Sequence, residues 1–322
     1  MGNAIPRPAL LESNRISVAL FLLKLANFAR IIKNYKGTMY TEYKPINGKA
    51  IYTPKGAALE YGRIGANFYT GCPHDCEYCY LKRGITGKVL GGTEVKLKKC
   101  FKDEADAIDV FCNEGRKHLE LCRRYGIFFS FTTDPLIPET RNLTISSLGF
   151  CVDMDIRAMV LTKNADFIND ARFQLNMKAG GTREFIHFGF TLTGRDDMEP
   201  KASSNDERIE AMRHLHEQGF KTFASIEPVI DLVHSEAVIG KSIDCCDHYK
   251  IGLRSGVKRG YYNPSQVYEH IRTIVDFITD AGKTVYLKQS VRTLIGTDYN
   301  VTLKQFEDLV AKTVDMDGKP FI

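Results

Sequence analysis

Three cysteines fall within eight residues, Cys72-Pro73-His74-Asp75-Cys76-Glu77-Tyr78-Cys79, in a chain of 322 residues that carries nine. Thiolate is a soft ligand suited to zinc or to iron-sulfur clusters. A structural zinc wants four ligands, normally as two paired knuckles far apart in sequence. There is one triplet; Cys245-Cys246 lacks the two-residue spacer of a knuckle, and His74 could serve as a fourth zinc ligand. Three thiolates can instead hold three corners of a cubane cluster and leave the fourth iron open. An open metal position separates a reactive site from a structural one, and a bidentate amino acid can fill it. The other six cysteines are scattered. With no export signal they argue against a disulfide framework, so a cytoplasmic protein is expected.

The elements that must position this loop read as β-α alternation. Strands are expected at Ile64 to Tyr69, Ile127 to Phe131, Ala158 to Leu161, Phe185 to Leu192, Phe220 to Ile226 and Tyr249 to Leu253. Helices are expected near Glu104 to Arg124, Ile145 to Asp153, Asp166 to Met177, Asp206 to Gln218, Ser235 to Asp244 and Ser265 to Ala281. For the Asp206 helix, Ser203, Ser204 and Asn205 offer N-caps and Gly219 stands at C′. Such alternation implies parallel strands with crossover helices, in a doubly wound or a barrel-like sheet, with functional residues in the loops after the strands' carboxyl ends. An amphipathic helical stretch, Ile16 to Ile32, precedes the series.

The C-x3-C-x2-C spacing followed by Tyr80, after the first strand of a β-α series, resembles the radical S-adenosylmethionine (SAM) superfamily. Over about residues 50 to 290 the chain is similar to its spore photoproduct lyase-like (DNA repair photolyase-like) branch. The similarity is carried by Thr70 to Lys82, Phe131-Thr132-Thr133-Asp134-Pro135, Leu161-Thr162-Lys163-Asn164, Phe190-Thr191-Leu192-Thr193, and Glu199-Pro200 with Arg208. The resemblance implies an α/β fold with a partial (β/α)6 TIM-like barrel over 51–295; outside it, an N-terminal helical extension is expected over 1–50 and a C-terminal helical segment over 296–322. It implies that Cys72, Cys76 and Cys79 ligate a [4Fe-4S] cluster whose free iron chelates SAM, and that one electron cleaves SAM to a hydrogen-abstracting 5′-deoxyadenosyl radical. Thr133 and Asp134 would then hold the methionyl amino group, Lys163 and Thr191 the carboxylate, and Tyr78 would pack near the adenine. Tyr80 is a catalytic candidate. A reductant such as flavodoxin or ferredoxin is the implied partner.

The chain departs from that branch at Phe131, where spore photoproduct lyase has a hydrogen-returning cysteine; the nearby Cys151 is a candidate to substitute. For the substrate, the loop Arg254 to Asn263 offers Arg254, Lys258, Arg259, Tyr261 and Tyr262, cations beside aromatics that suit a phosphate backbone and stacked bases. Glu227 and Lys288 stand at other strand ends and could face the same cavity. The expectation is a radical SAM enzyme acting on a nucleic acid or nucleotide. The alternatives are a peptide or small-metabolite substrate, or a non-catalytic zinc-binding nucleic-acid module using His74 with the three cysteines. Composition, with 43% apolar and 26% charged residues, excludes disordered, collagen-like and coiled-coil classes. Lys and Arg number 44 against 39 Asp and Glu, a net charge of +5 that permits an anionic partner without requiring one. The apolar run Val18 to Leu23 is broken by Lys24, Asn27 and Arg30, so no membrane span is expected.

Overall fold

The structure, a computed structural model, describes residues 43–177, 182–298, 300–315 and 318. The expected Ile16 to Ile32 helix lies outside the described residues. Ten strands are present there: β1 (Ile51–Tyr52), β2 (Gly65–Ala66), β3 (Tyr69–Thr70), β4 (Lys96–Leu97), β5 (Ile127–Phe129), β6 (Ala158–Thr162), β7 (Ile186–Thr191), β8 (Lys221–Val229), β9 (His248–Leu253) and β10 (Thr284–Leu287). The helices are α1 (Gly84–Leu90), α2 (Glu104–Lys117), α3 (Leu119–Tyr125), α4 (Arg141–Asp153), α5 (Ala171–Met177), α6 (Thr182–Phe185), α7 (Asn205–Glu217), α8 (Leu232–Ser242), α9 (Pro264–Asp280), α10 (Gln289–Gly296) and α11 (Leu303–Ala311).

One eight-stranded sheet runs in the order β1-β2-β5-β6-β7-β8-β9-β10, antiparallel only between β1 and β2. Seven strands are thus parallel, one more than the six expected, because β10 continues the series. The expected strand Ile64 to Tyr69 divides: β2 joins the large sheet, whereas β3 pairs only with β4. The single helix expected over Glu104 to Arg124 breaks at His118, which leaves helical dihedrals. The first part of the expected Asp166 helix is a 3-10 turn, Asp166–Asn169.

Strand order follows chain order without reversal. Crossovers of the usual right hand, with this order, put the connecting helices on one face rather than on both as in a doubly wound sheet. The register divides the residues accordingly. Phe190, Ala224, Tyr249 and Val285 lie side by side and are buried. Phe188 and Phe190 meet Phe167 of the Asp166–Asn169 turn, and Phe188 also meets Phe173 of α5 and Phe220. Each such ring removed from water contributes roughly 1.5–3 kcal/mol. The next row, Thr191, Ser225, Lys250 and Tyr286, faces the other way and is polar. There it meets the segment entering β2: Lys250 Nζ donates to the Glu60 carbonyl (3.0 Å), Tyr286 donates to Glu60 Oε1 (2.8 Å), and the Tyr61 and Ser225 hydroxyls lie 2.7 Å apart. Glu60 therefore joins the start of the parallel series to its last strand, and the sheet curls around a polar lumen.

The α7 start is a capping box: Ser204 accepts from the Glu207 N–H, and Glu207 accepts from the Ser204 N–H. Replacing such a cap by Ala costs about 1 kcal/mol. Gly219 takes φ +87° just beyond the helix, where a side chain would be strained. At the far end α11 packs on α10, and the Val314 N–H reaches the Val285 carbonyl at 2.9 Å. No helix among the described residues is long and apolar enough to cross a membrane.

Candidate functional site

The cysteine loop leaves β3 through Gly71, whose φ of +80° and close approach exclude a side chain: a Cβ there would lie 2.1 Å from the Glu94 carbonyl oxygen. The N–H groups of Gly71 and Cys72 donate to the carbonyls of Leu90 and Gly92 (3.1 and 2.9 Å), and Glu77 N–H donates to Met198 (3.0 Å). Lys82 Nζ closes the loop on the Asp75 carbonyl (2.8 Å). Backbone contacts on two sides thus fix where the thiols project. Cys76 is buried with Tyr78, Met198 and Ile230, and Cys79 packs against them. Burial pushes the Cys72 thiol up to about 12, with Asp134 adding to the rise; burial also raises Cys76, against the pull of Lys163. Without a bound cation the Cys72 and Cys76 thiols hold their protons, whereas coordination to a metal strips a thiol of its proton.

His74 is turned away from the thiols' role. Its Nε2 lies 2.8 Å from Asp134 Oδ2 and its Nδ1 lies 3.0 Å from the Lys201 carbonyl. Both ring nitrogens are engaged, so the histidine that could complete a zinc set is committed elsewhere. Among the described residues no group of three or more His, Cys, Asp or Glu side chains is arranged to hold a metal ion.

Asp134 follows β5, is buried, and has both carboxylate oxygens hydrogen-bonded. Oδ1 accepts from Leu136 N–H (2.9 Å) and Thr162 Oγ1 (2.7 Å), and Oδ2 accepts from Lys163 N–H (2.7 Å) in addition to His74. Burial works against its charge, yet His74 and the backbone donors hold it below the usual carboxylate range; the same contact raises His74 against the effect of its own burial. The carboxylate expected to meet a ligand ammonium thus joins the ends of β5 and β6 to the cysteine loop. Its neighbour Thr133 is different. The Thr133 side-chain oxygen is buried and has no hydrogen-bond partner among the described residues, and the residue is only 9% exposed. An unsatisfied buried hydroxyl costs about 1–3 kcal/mol, a deficit that a ligand's polar group would remove.

Lys163 extends its amine over the Tyr78 ring, 5.6 Å from the centroid, and makes no ion pair among the described residues. The Tyr78 hydroxyl donates to Glu199, which is paired with Arg208; both partners of that pair are fully buried. Burial opposes the Glu199 charge, but Arg208 and then Lys163 keep it below its ordinary value. Arg208 also donates to the carbonyls of Thr191 (2.5 Å) and Ser203 (2.9 Å). Thr191 is buried at the end of β7. Tyr80, 50% exposed, donates its hydroxyl to the Phe131 carbonyl.

The basic loop stands beside this group. Arg83 Nη1 donates to the Ser255 carbonyl at 2.7 Å, which fastens the loop to the end of the cysteine loop. Lys258, Arg259 and Tyr261 are exposed. Tyr262 is held between Val229, whose carbonyl accepts its hydroxyl, and Arg254, whose N–H donates to it at 2.9 Å. Arg254 Nε is buried without a partner among the described residues. Cys151 is fully buried in the core on α4, away from the thiol loop.

The structure therefore brings Cys72, Cys76, Cys79, Tyr78, Thr133 and Lys163 to the ends of β3, β5 and β6, and spends Asp134 and Tyr262 on internal bonds. The sequence reading missed the His74–Asp134 contact and the Glu60–Tyr61 segment. Both depend on partners 60 or more residues away, and no local pattern marks them.

The class that fold and site define is an α/β protein with a mostly parallel, curled sheet and a thiol-rich loop at the carboxyl ends of its strands. No family model matches the chain. It is 27% identical over 186 residues, 55% of its length, to the uncharacterized protein MJ0683 of Methanocaldococcus jannaschii, and it covers 64% of that relative, less than two thirds. Among solved structures it is similar to SuiB of Streptococcus suis bound to S-adenosylmethionine, with 14% identity and a TM-score of 0.44, over 68% of this chain and 46% of that one. A likeness of that extent assigns neither family nor activity.

Proposed function

We propose that this protein is a radical SAM enzyme of the spore photoproduct lyase-like branch, acting on a nucleic acid or nucleotide. The observation that carries the reading is the donor set of the cysteine loop: three thiols, with His74 committed to Asp134 and Lys201. Such a set suits three corners of a cubane and leaves a tetrahedral zinc one ligand short. When bound, a [4Fe-4S] cluster with SAM supplies one-electron cleavage of a sulfonium carbon-sulfur bond, the electron coming from a reductant such as flavodoxin or ferredoxin.

The chain's own residues supply orientation and charge. The unpartnered Thr133 hydroxyl would accept from the ligand's ammonium group, and the unpaired Lys163 amine would meet its carboxylate. Tyr78, fixed by Glu199 and Arg208, would present a ring edge to an adenine. The apolar wall of Met198 and Ile230 around Cys76 would keep water from a reactive centre.

Anaerobic reconstitution tests this. Wild-type protein is expected to take up iron and sulfide, turn brown and cleave SAM under a chemical reductant, and Cys76→Ala is expected to lose both the colour and the cleavage. A colourless protein that retains zinc, or a Cys76→Ala variant that cleaves SAM at the wild-type rate, would overturn the assignment.

A further inference from the structure

The upper tier of the lumen holds an ionic group outside the cysteine site. Glu227 on β8 and Lys288 after β10 flank β9 at Gly252, where a Cβ would lie 2.8 Å from Glu227 Oε1 and 2.9 Å from the Lys288 side chain. Glycine at that position is what lets the two side chains occupy the space. Lys288 is 2% exposed; its amine lies 2.5 Å from Glu227 Oε2, 3.9 Å from Glu60 Oε2 and 4.2 Å above the Tyr61 ring. The Tyr61 hydroxyl donates to the same Oε2.

All of that binding falls on one oxygen. Glu227 Oε1 takes no hydrogen bond among the described residues, although the side chain is clamped from two sides. The Lys288 side chain is 2% exposed but that of Glu227 is 24% exposed, so the clamped pair keeps one accessible side. An acceptor held rigid at its partner oxygen and left open at the other is suited to receive a donor from outside. The clamp lies near the cysteine loop. Tyr61 packs on the Phe131 ring at 6.4 Å, Phe131 stacks on Phe128 at 4.7 Å, and the Phe131 carbonyl receives the Tyr80 hydroxyl of the cysteine loop.

We propose that Glu227 Oε1 reads an N–H donor on the pairing edge of a nucleobase, with Tyr61 and Lys288 as the residues that position it and the partly buried Phe131 ring as the adjoining apolar wall. The inference rests on the nucleic-acid reading above and names the group that would recognise the base. A carboxylate accepts N–H groups of bases and an aromatic face supports their rings, and a base reaching this depth must leave its stack. The exposed Lys258 and Arg259 would hold the phosphates at the rim.

The test compares binding of fluorescent five-nucleotide single strands with that of an abasic strand of equal length, using fluorescence anisotropy. The wild-type chain is expected to bind at least one base-bearing strand about tenfold more tightly than the abasic strand. Glu227→Gln should lose most of that preference while binding the abasic strand as wild type does. Because removing one charge leaves Lys288 with only the longer contact to Glu60, the double variant Glu227→Gln/Lys288→Met is measured beside it; it should fold, as followed by its melting curve, and should also lack the preference. A folded variant that keeps the full preference overturns the proposal, as does a wild-type chain that binds all strands equally. Binding of neither kind of strand, with a short peptide bound instead, would overturn the nucleic-acid reading itself, while iron content and SAM cleavage would still report separately on the cysteine site.

Discussion

Thr133 and Asp134 are adjacent, yet their surroundings give them opposite energetics. The Thr133 hydroxyl is buried without a partner, so removing it should help the empty protein and harm the liganded one. Thr133→Val is expected to melt at or slightly above the wild-type temperature without SAM and to bind SAM about tenfold more weakly. A variant that is less stable and binds SAM normally would make Thr133 a packing residue. Asp134 accepts four hydrogen bonds, so Asp134→Ala would strand two backbone N–H groups, the Thr162 hydroxyl and the His74 ring. The expected loss is about 3–5 kcal/mol of stability, read as a lowered midpoint in denaturant. An unchanged midpoint with weakened SAM binding would instead return Asp134 to the ligand. From sequence these two neighbours read alike, because only the fold brings His74 and Thr162 to one of them.

At the scale of elements, the alternation of apolar runs with helical periods located β6, β7, β8 and β9 and most of the helices between them, since strands buried on both faces announce themselves by composition. The α7 cap was legible because capping chemistry is local. What escaped were two-residue strands such as β1 and β4, and β10, whose four residues are too few to set a period. The thiol loop was legible in spacing but not in attachment, because β3 leaves the parallel sheet to pair with β4. The basic loop was found by composition, but its two tyrosines divide: Tyr262 is a strut between strand ends, while Tyr261 remains exposed. Lys258→Ala/Arg259→Ala should therefore weaken single-stranded DNA binding and reduce the slope of log K against log salt by about 1.4. An unaltered slope would take both cations out of the interface.

For the whole molecule, the polar lumen carries a pH signature. Burial first, then the Arg157 charge, push His187 down to about 4, although Asp247 pulls the other way. Burial, then Lys250 and His187, push His248 down to about 3, again against Asp247. Both are neutral in the folded chain, whereas an unfolded histidine takes up its proton near 6.5. Unfolding is then favoured by proton uptake, so stability present above about pH 6.5 is lost as the pH falls toward 4 and then 3. Melting temperature measured from pH 7 to pH 4 should decline, and His187→Gln should decline less steeply over that window; parallel curves would remove His187 from the account.

The Arg83 bond to Ser255 ties the thiol loop to the rim that carries Lys258 and Arg259. On the reading proposed above these two places would engage different molecules, and they share one mechanical link. If occupancy of one alters that link, reciprocity requires the other to respond by the same factor, so cofactor loading and affinity at the rim become two readings of a single coupling constant.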